Sequence, residues 1–314
     1  MTALARTPQT VHLSVLRGPR TLVLSLACAV SLAVLVSALV GLVADDRQIT
    51  GAAAWLKPVK FAVSIAVYCA TLAWLLSLVQ GHTRLVRVVA WTTGWALILE
   101  FVLLVTQVVR GTSSHFNTTT AFDGAVFNAM GGLITLVFLV GVVTAVLLLR
   151  QRGLPAVLAS GIRGGIGVCL LGMAAAVLML LNRSIQPSGG HTVGAPDGGP
   201  GLPLTGWSTQ HGDLRIAHFV GLHALQVLPL VAWGLQRYAT RLSTLAQVRL
   251  VRTATLSCAG VVALLAWQAE RGLPLLAPDA AVLTAALAGA ALGLGVAASV
   301  VGRDLRDAAT RVPA

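Results

Sequence analysis

Apolar residues run through this chain in eight long blocks, near 21–43, 59–79, 88–109, 121–149, 162–182, 216–236, 251–271 and 280–301, each bounded by a short polar stretch. A helix needs roughly 20 mainly apolar residues to cross a bilayer, because the hydrocarbon core is about 30 Å thick and a helix rises about 1.5 Å per residue. Every block meets that requirement. The pattern predicts an all-α integral membrane helix bundle of about eight transmembrane helices, with residues 1–20 as an N-terminal segment, 21–302 as a single transmembrane bundle and 303–314 as a tail. The first block is far longer than the roughly 7–15 apolar residues of a signal-peptide core, so it reads as a span of the mature chain.

Composition agrees with this reading. The chain is 56% hydrophobic and 10% charged, and its mean hydropathy of +0.85 is that of a protein whose solvent is lipid. All four cysteines (Cys28, Cys69, Cys169, Cys258) fall inside apolar blocks and none forms a C-x-x-C pair, so neither a disulfide framework nor a cysteine metal site is indicated.

The net charge of +12 would suggest nucleic-acid binding in a soluble protein, but its placement says otherwise. With a cytoplasmic N-terminus, the inner segments hold Arg6, Arg17, Arg20, Arg84, Arg87, Arg150, Arg152, Arg163, Arg237, Arg241, Arg249, Arg252, Arg303, Arg306 and Arg311, fifteen of the 22 basic residues. The outer segments hold the other seven and also seven of the ten acids, whereas only Asp304 and Asp307 lie inside. This is the positive-inside bias of a multi-pass protein of the plasma (inner) membrane. Both termini are expected in the cytoplasm, the partner is the lipid bilayer, and no nucleic acid is expected.

The longest connection, 183–215, is rich in Gly and Pro, and its middle, about 187–203, is expected to be mobile or irregular. No internal repeat is visible, so the inverted-repeat signature of many secondary transporters is missing. Gly161 and Gly165, and Gly289 and Gly293, place small residues four apart, which lets helix backbones approach closely in lipid. Packing within one bundle accounts for them, and a homo-oligomer through the same faces stands as the alternative.

Three outer motifs concentrate the unusual polar residues. The first is Trp55-Leu-Lys-Pro-Val-Lys-Phe61 at the start of the second span. Proline suits a first helical turn, where its missing N–H would be unpaired anyway. Lys57 and Lys60 are the only lysines beside twenty arginines, and Ser64, Tyr68 and Thr71 continue a polar stripe below them. Lysine is a compact point charge whose pKa falls readily on burial. Snorkelling of both lysines to the headgroups is the structural alternative. On the third span, Glu100 and Gln107 share a helix face, with Glu100 roughly 13 Å below the outer end. A carboxylate at that depth is costly unless paired or protonated, so Glu100 is either a proton-coupling group or the structural partner of Lys60 or Arg215.

The second motif, Arg110-Gly-Thr-Ser-Ser-His-Phe-Asn117, joins spans three and four and is followed by Asp123 and Asn128. His115 and its neighbours offer ligand contacts. The structural alternative pairs Arg110 with Asp123 and lets Asn117 or Thr118 cap the fourth helix. The third motif, Trp207 to His218 continuing to Gln226 and Pro229, is the densest. Arg215, His218, His223 and Gln226 cover a sector of about 140° on the sixth helix, Asp213 is placed to cap it, and Pro229 to kink it. His218 and His223 are five apart, unlike the H-x-x-x-H spacing that sets two metal ligands on one helix face. A metal would have to gather His115, His211, His218 or His223 from separate segments, and a bis-histidine haem would need a second helical histidine.

The motifs W-x-K-P-x-K-F, R-G-x-x-S-H-F-N and G-D-L-R-x-x-H-x-x-x-L-H-A-L-Q together resemble an uncharacterised group of bacterial polytopic membrane proteins. The resemblance covers spans two to six and implies no activity. No hydrolase elbow, P-loop, H-E-x-x-H or nucleotide fingerprint is present. The leading expectation is therefore binding or translocation of a small polar or anionic solute, with Lys57, Lys60, Arg110 and Arg215 admitting it and Glu100, His218 and His223 coupling protons. A membrane-embedded enzyme, either a metal- or haem-dependent oxidoreductase or a lipid-modifying activity, is the alternative. A sensor or assembly subunit is the third reading.

Overall fold

The computed structural model describes residues 20–183, 185 and 187–310. The expected N-terminal segment up to residue 19, with Arg6 and Arg17, and the last four residues of the tail, with Arg311, lie outside the described residues. Among the described residues are eight helices: α1 (Leu22–Ala44), α2 (Leu56–Ser77), α3 (Thr83–Val109), α4 (Ala121–Arg150), α5 (Ala156–Leu181), α6 (Leu214–Tyr238), α7 (Thr244–Glu270) and α8 (Ala280–Thr310). All eight are long and apolar enough to cross a membrane. Two antiparallel pairs of two-residue strands occur in the connections, β1 (Gln48–Ile49) with β2 (Ala52–Ala53) and β3 (Thr192–Val193) with β4 (Gly212–Asp213).

The apolar blocks located every helix but understated four of them. α3, α5 and α7 begin five to seven residues before their blocks, and α8 continues through Arg303-Asp304-Leu305-Arg306 to Thr310. Hydropathy marks the part of a helix that sits in hydrocarbon. The helix itself continues for as long as its backbone groups pair, and the added turns carry Arg84, Arg87, Arg249, Arg303 and Arg306. Local chemistry sets their starts: Ser243 Oγ accepts a hydrogen bond from Ala246 N–H at the head of α7, and Pro155 precedes α5.

Packing groups the chain into two compact units. The first comprises residues up to Asp45, Trp55–Val109 and Asn128–Leu148, and the second comprises Asp46–Ala54, Arg110–Phe127 and the chain from Leu149 onward. In the first unit α1 packs on both α2 and α3. Gly94 of α3 meets Val23, where a Cβ would lie 2.7 Å from a Val23 methyl.

In the second unit α5 and α6 form the closest helix pair, α7 packs on both, and α8 packs on α7. Glycines make the α5–α6 contact possible: a Cβ on Gly161 would fall 2.7 Å from Leu228 O, one on Gly165 2.9 Å from Ala224 O, and one on Gly172 2.7 Å from Gly221 Cα. Lipid supplies little hydrophobic drive between helices, so this intimate van der Waals contact is the main cohesion available. The Gly161/Gly165 pair thus serves packing inside the chain. On α8, Gly293 meets Ser257 of α7 while Gly289 faces open space. The rest of α8 is exposed or half-buried, with Val282 its buried residue.

Candidate functional site

The first motif is anchored by its tryptophan. Trp55 Nε1 donates to Asp45 Oδ2 at 2.8 Å, and the indole packs where a Cβ on Gly41 would otherwise stand. The start of α2 is thereby tied to the end of α1. Pro58, in the first turn, is buried. Lys57 and Lys60 are half-buried, and the Lys57 ammonium lies 6.0 Å from the centre of the Phe61 ring. Of the stripe below them, Ser64 is exposed and Thr71 returns its hydroxyl to Val67 O of its own helix at 2.8 Å.

On α3 a buried polar row stands at seven-residue spacing: Thr93, Glu100 and Gln107 are each 0–1% exposed. Neither Glu100 carboxyl oxygen nor the Thr93 hydroxyl has a hydrogen-bond partner among the described residues. Lys57 lies in the same unit as Glu100, and its positive charge favours the ionised carboxylate. Glu100 and Gln107 were legible in the sequence. Thr93 was passed over because a lone threonine in a span is ordinarily bonded to its own helix.

The second motif is a hydrogen-bonded turn. Arg110 pairs with Asp123 at 2.5 Å and lies 4.4 Å over the Phe122 ring. Asp123 is buried and also accepts from Thr120 Oγ1 at 2.6 Å, while Thr120 Oγ1 accepts from Asp123 N–H at 3.1 Å. That reciprocal arrangement caps α4, so the cap is Thr120, where the sequence suggested Asn117 or Thr118. Asn117 instead organises the turn: its amide donates to Thr112 Oγ1 and Ser113 O, and its Oδ1 accepts from Thr119 N–H and Oγ1. His115 Nδ1 is 2.9 Å from Ser114 Oγ. Asn128 is exposed on α4.

The third motif closes on itself. Asp213, 1% exposed, accepts from Arg215 N–H at 3.0 Å, from Arg215 Nε at 2.9 Å and Nη2 at 2.5 Å, and from Ser208 N–H at 2.9 Å. Arg215 Nη2 also donates to Gly206 O at 2.6 Å. Asp213 is thus the cap of α6, and Arg215 clasps the 206–213 turn against it. His218 Nδ1 meets Gly172 O of α5 at 2.9 Å, at the point where Gly172 and Gly221 touch. His223 Nδ1 meets Phe219 O of its own helix at 2.8 Å. Its ring lies 4.1 Å from that of Phe219, which abuts Trp207. His211 N–H donates to Ser208 Oγ at 3.0 Å, and Gln226 is half-buried.

Motifs two and three belong to the second unit, and the long connection links them. Ser188 Oγ donates to Phe116 O at 2.7 Å, and the Phe116 ring stands edge-on to His191 at 4.9 Å. This segment is irregular but densely bonded. Asp197 accepts the backbone N–H groups of His191 and Thr192 and pairs with His191 Nδ1 at 2.8 Å. Asn182 donates to Gly190 O and Thr192 O. Burial alone would raise the Asp197 carboxyl, but the His191 ring and the two backbone donors hold it well below the usual carboxylate range. Sequence reading missed His191 and Asp197 because Gly and Pro around them pointed to a loop without internal structure. An Asx side chain beside positive-φ glycines, here Gly194 and Gly198, was the available signal.

Among the described residues no three of His, Cys, Asp and Glu come together as a metal-ligand set. His115, His211, His218 and His223 stand in the separate settings described above. The first motif, Glu100 and Gln107 belong to the other unit. No family model, curated protein or solved structure matches the chain.

Proposed function

We propose that this chain is a multi-pass protein of a bacterial inner membrane, with both termini cytoplasmic, that binds or translocates a small polar or anionic solute together with a proton on Glu100. The observation that carries the reading is the Glu100 carboxyl, 1% exposed and without a hydrogen-bond partner among the described residues. Intramembrane ionisable groups of this kind belong to proton relays and ion pathways, since a purely structural carboxylate would be paired. Arg110 and Arg215, which the sequence offered as solute contacts, are engaged by Asp123 and Asp213 in the second unit; Lys57 and Lys60, in the unit that carries Glu100, are assigned the anion-binding role.

The chemistry is an exchange of charge partners. With Glu100 ionised, Lys57 interacts with it. When Glu100 takes a proton, the negative charge facing Lys57 is removed and an anion takes its place. Loss of the anion and of the proton restores the first state. Proton and anion therefore bind together. The orientation rests on the arginine distribution, since the connections expected inside carry most of the basic residues.

Proteoliposomes holding a pH-sensitive dye test this. Small carboxylates and inorganic phosphate, added outside, should acidify the lumen in wild type and fail to do so in Glu100→Gln. Equal acidification by Glu100→Gln would remove Glu100 from the mechanism. Infrared titration should show a protonated carboxyl band that disappears in the same variant.

A further inference from the structure

The four ion pairs recorded among the described residues, Arg110–Asp123, His191–Asp197, Arg215–Asp213 and Arg271–Asp279, all lie in the third, fifth and seventh helix connections or at their borders. At the fourth connection, α4 to α5, the charge is arranged differently. Arg150, Arg152, Arg163 and Arg252 line one cleft of about 1190 Å³, with no acidic side chain among its walls. None of the four has an ion-pair partner among the described residues. The rest of the wall is largely apolar and includes Leu149, Leu154, Val248 and Leu256.

Two of these arginines sit deeper than orientation signals require. Arg163 is seven residues inside α5 and Arg252 eight inside α7, about 10–12 Å along each helix. Gly164 lies against the Thr255 side chain, which brings α5 and α7 together and puts both guanidinium groups on the same cleft. A cation inside a span is costly without an anion or a carbonyl to meet it. The contact Arg163 does make, Nη2 to Leu149 O at 3.4 Å, is long for a charge-assisted bond. A cleft with four cations, no acid and an apolar wall matches a ligand that is a phosphate at one end and hydrocarbon at the other.

We propose that this cleft binds an anionic phospholipid of the adjoining leaflet, its headgroup phosphate held by the arginines and an acyl chain laid along the Leu149, Leu154, Val248 and Leu256 wall. Basic pockets between transmembrane helices on the cytoplasmic side have the right chemistry for such headgroups. Free phosphate would satisfy the arginines but would leave the apolar wall without a role. The site is independent of the proton exchange assigned to Glu100.

The test uses the full-length protein in nanodiscs, with spin-labelled phosphatidylglycerol and phosphatidylcholine as probes and native mass spectrometry to count retained lipids. Wild type should retain phosphatidylglycerol in preference to phosphatidylcholine. Each of Arg163→Gln and Arg252→Gln should weaken retention about five-fold, the worth of one basic residue near an anionic lipid surface. The control Arg84→Gln, which removes the same single charge outside the cleft, should leave retention unchanged. Equal retention of the two lipids by wild type would overturn the proposal without recourse to any variant. Equal losses in cleft and control variants would overturn it as well. Displacement of the lipid by equimolar inorganic phosphate would reassign the cleft to a soluble anion.

Discussion

The α5–α6 contact gives the sharpest prediction, because backbone atoms face each other there and cannot step aside. In Gly172→Ala the new Cβ would stand 2.7 Å from Gly221 Cα and 2.8 Å from the Gly221 carbonyl carbon and Leu222 N. Ordinary contact needs about 3.4 Å, so the helices must part by roughly 0.7 Å at this level. That same movement takes the His218 Nδ1 to Gly172 O bond from 2.9 Å to about 3.6 Å, beyond hydrogen-bonding range. Overpacking costs about 1–3 kcal/mol, and an interhelical hydrogen bond in a membrane protein is worth about 0.6–1.7 kcal/mol. The combined loss should be about 2–4 kcal/mol, read by reversible unfolding in mixed micelles from tryptophan fluorescence.

Gly167→Ala supplies the control, since a Cβ at Gly167 meets nothing within 4 Å; it should be neutral or stabilising by up to about 1 kcal/mol from helix propensity. In a His218→Ala background the Gly172→Ala cost should shrink by about 1 kcal/mol, because the two changes share one bond. Similar stability for Gly172→Ala and Gly167→Ala would refute the argument. Full additivity with His218→Ala would detach the hydrogen bond from the packing.

Asp213→Ala breaks a part-buried pair and leaves the buried Ser208 N–H without its acceptor, so a loss of about 1.5–3 kcal/mol is expected in the same unfolding assay. Asp197 is depressed in the folded chain, so its stabilising contribution is present above its unfolded pKa of about 4 and is lost as pH falls through the lower folded value. Melting curves from pH 6 to pH 2 should therefore show a shallower acid limb in Asp197→Asn than in wild type. Thr120→Ala removes the reciprocal cap of α4 and should cost about 1 kcal/mol, visible as a lower melting temperature, whereas Thr118→Ala should be silent. Glu100→Gln replaces a buried carboxyl that lacks a hydrogen-bond partner with a neutral amide, so it should fold at least as stably as wild type while losing proton exchange.

Each motif carried both a structural and a functional reading in the sequence, and local geometry divided them. Arg110 with Asp123 and Asp213 with its own helix resolved as structure, because residues two to thirteen apart in a tight turn are forced within bonding distance. His218 resolved the same way, but through a partner 46 residues distant that no spacing rule could indicate. Glu100 did not resolve as a structural hydrogen-bonded group: it stood out as the acid inside a span, and folding left it buried and without a hydrogen-bond partner among the described residues.

The apolar spans and the gathering of arginines in alternate connections are properties of the chain itself, because the cost of moving a residue into hydrocarbon depends on its own polarity and that of its near neighbours. Eight apolar blocks therefore became eight helices. Whether a polar side chain would be satisfied could not be read in that way. It depends on which atoms other helices bring within about 3 Å, and those approaches are set by glycine contacts such as Gly172 with Gly221 and Gly164 with Thr255. Only tertiary structure decided that Arg215 is clasped, that Glu100 lacks a hydrogen-bond partner among the described residues and that four arginines share one cleft, because each is a relation between segments that meet only when the chain folds.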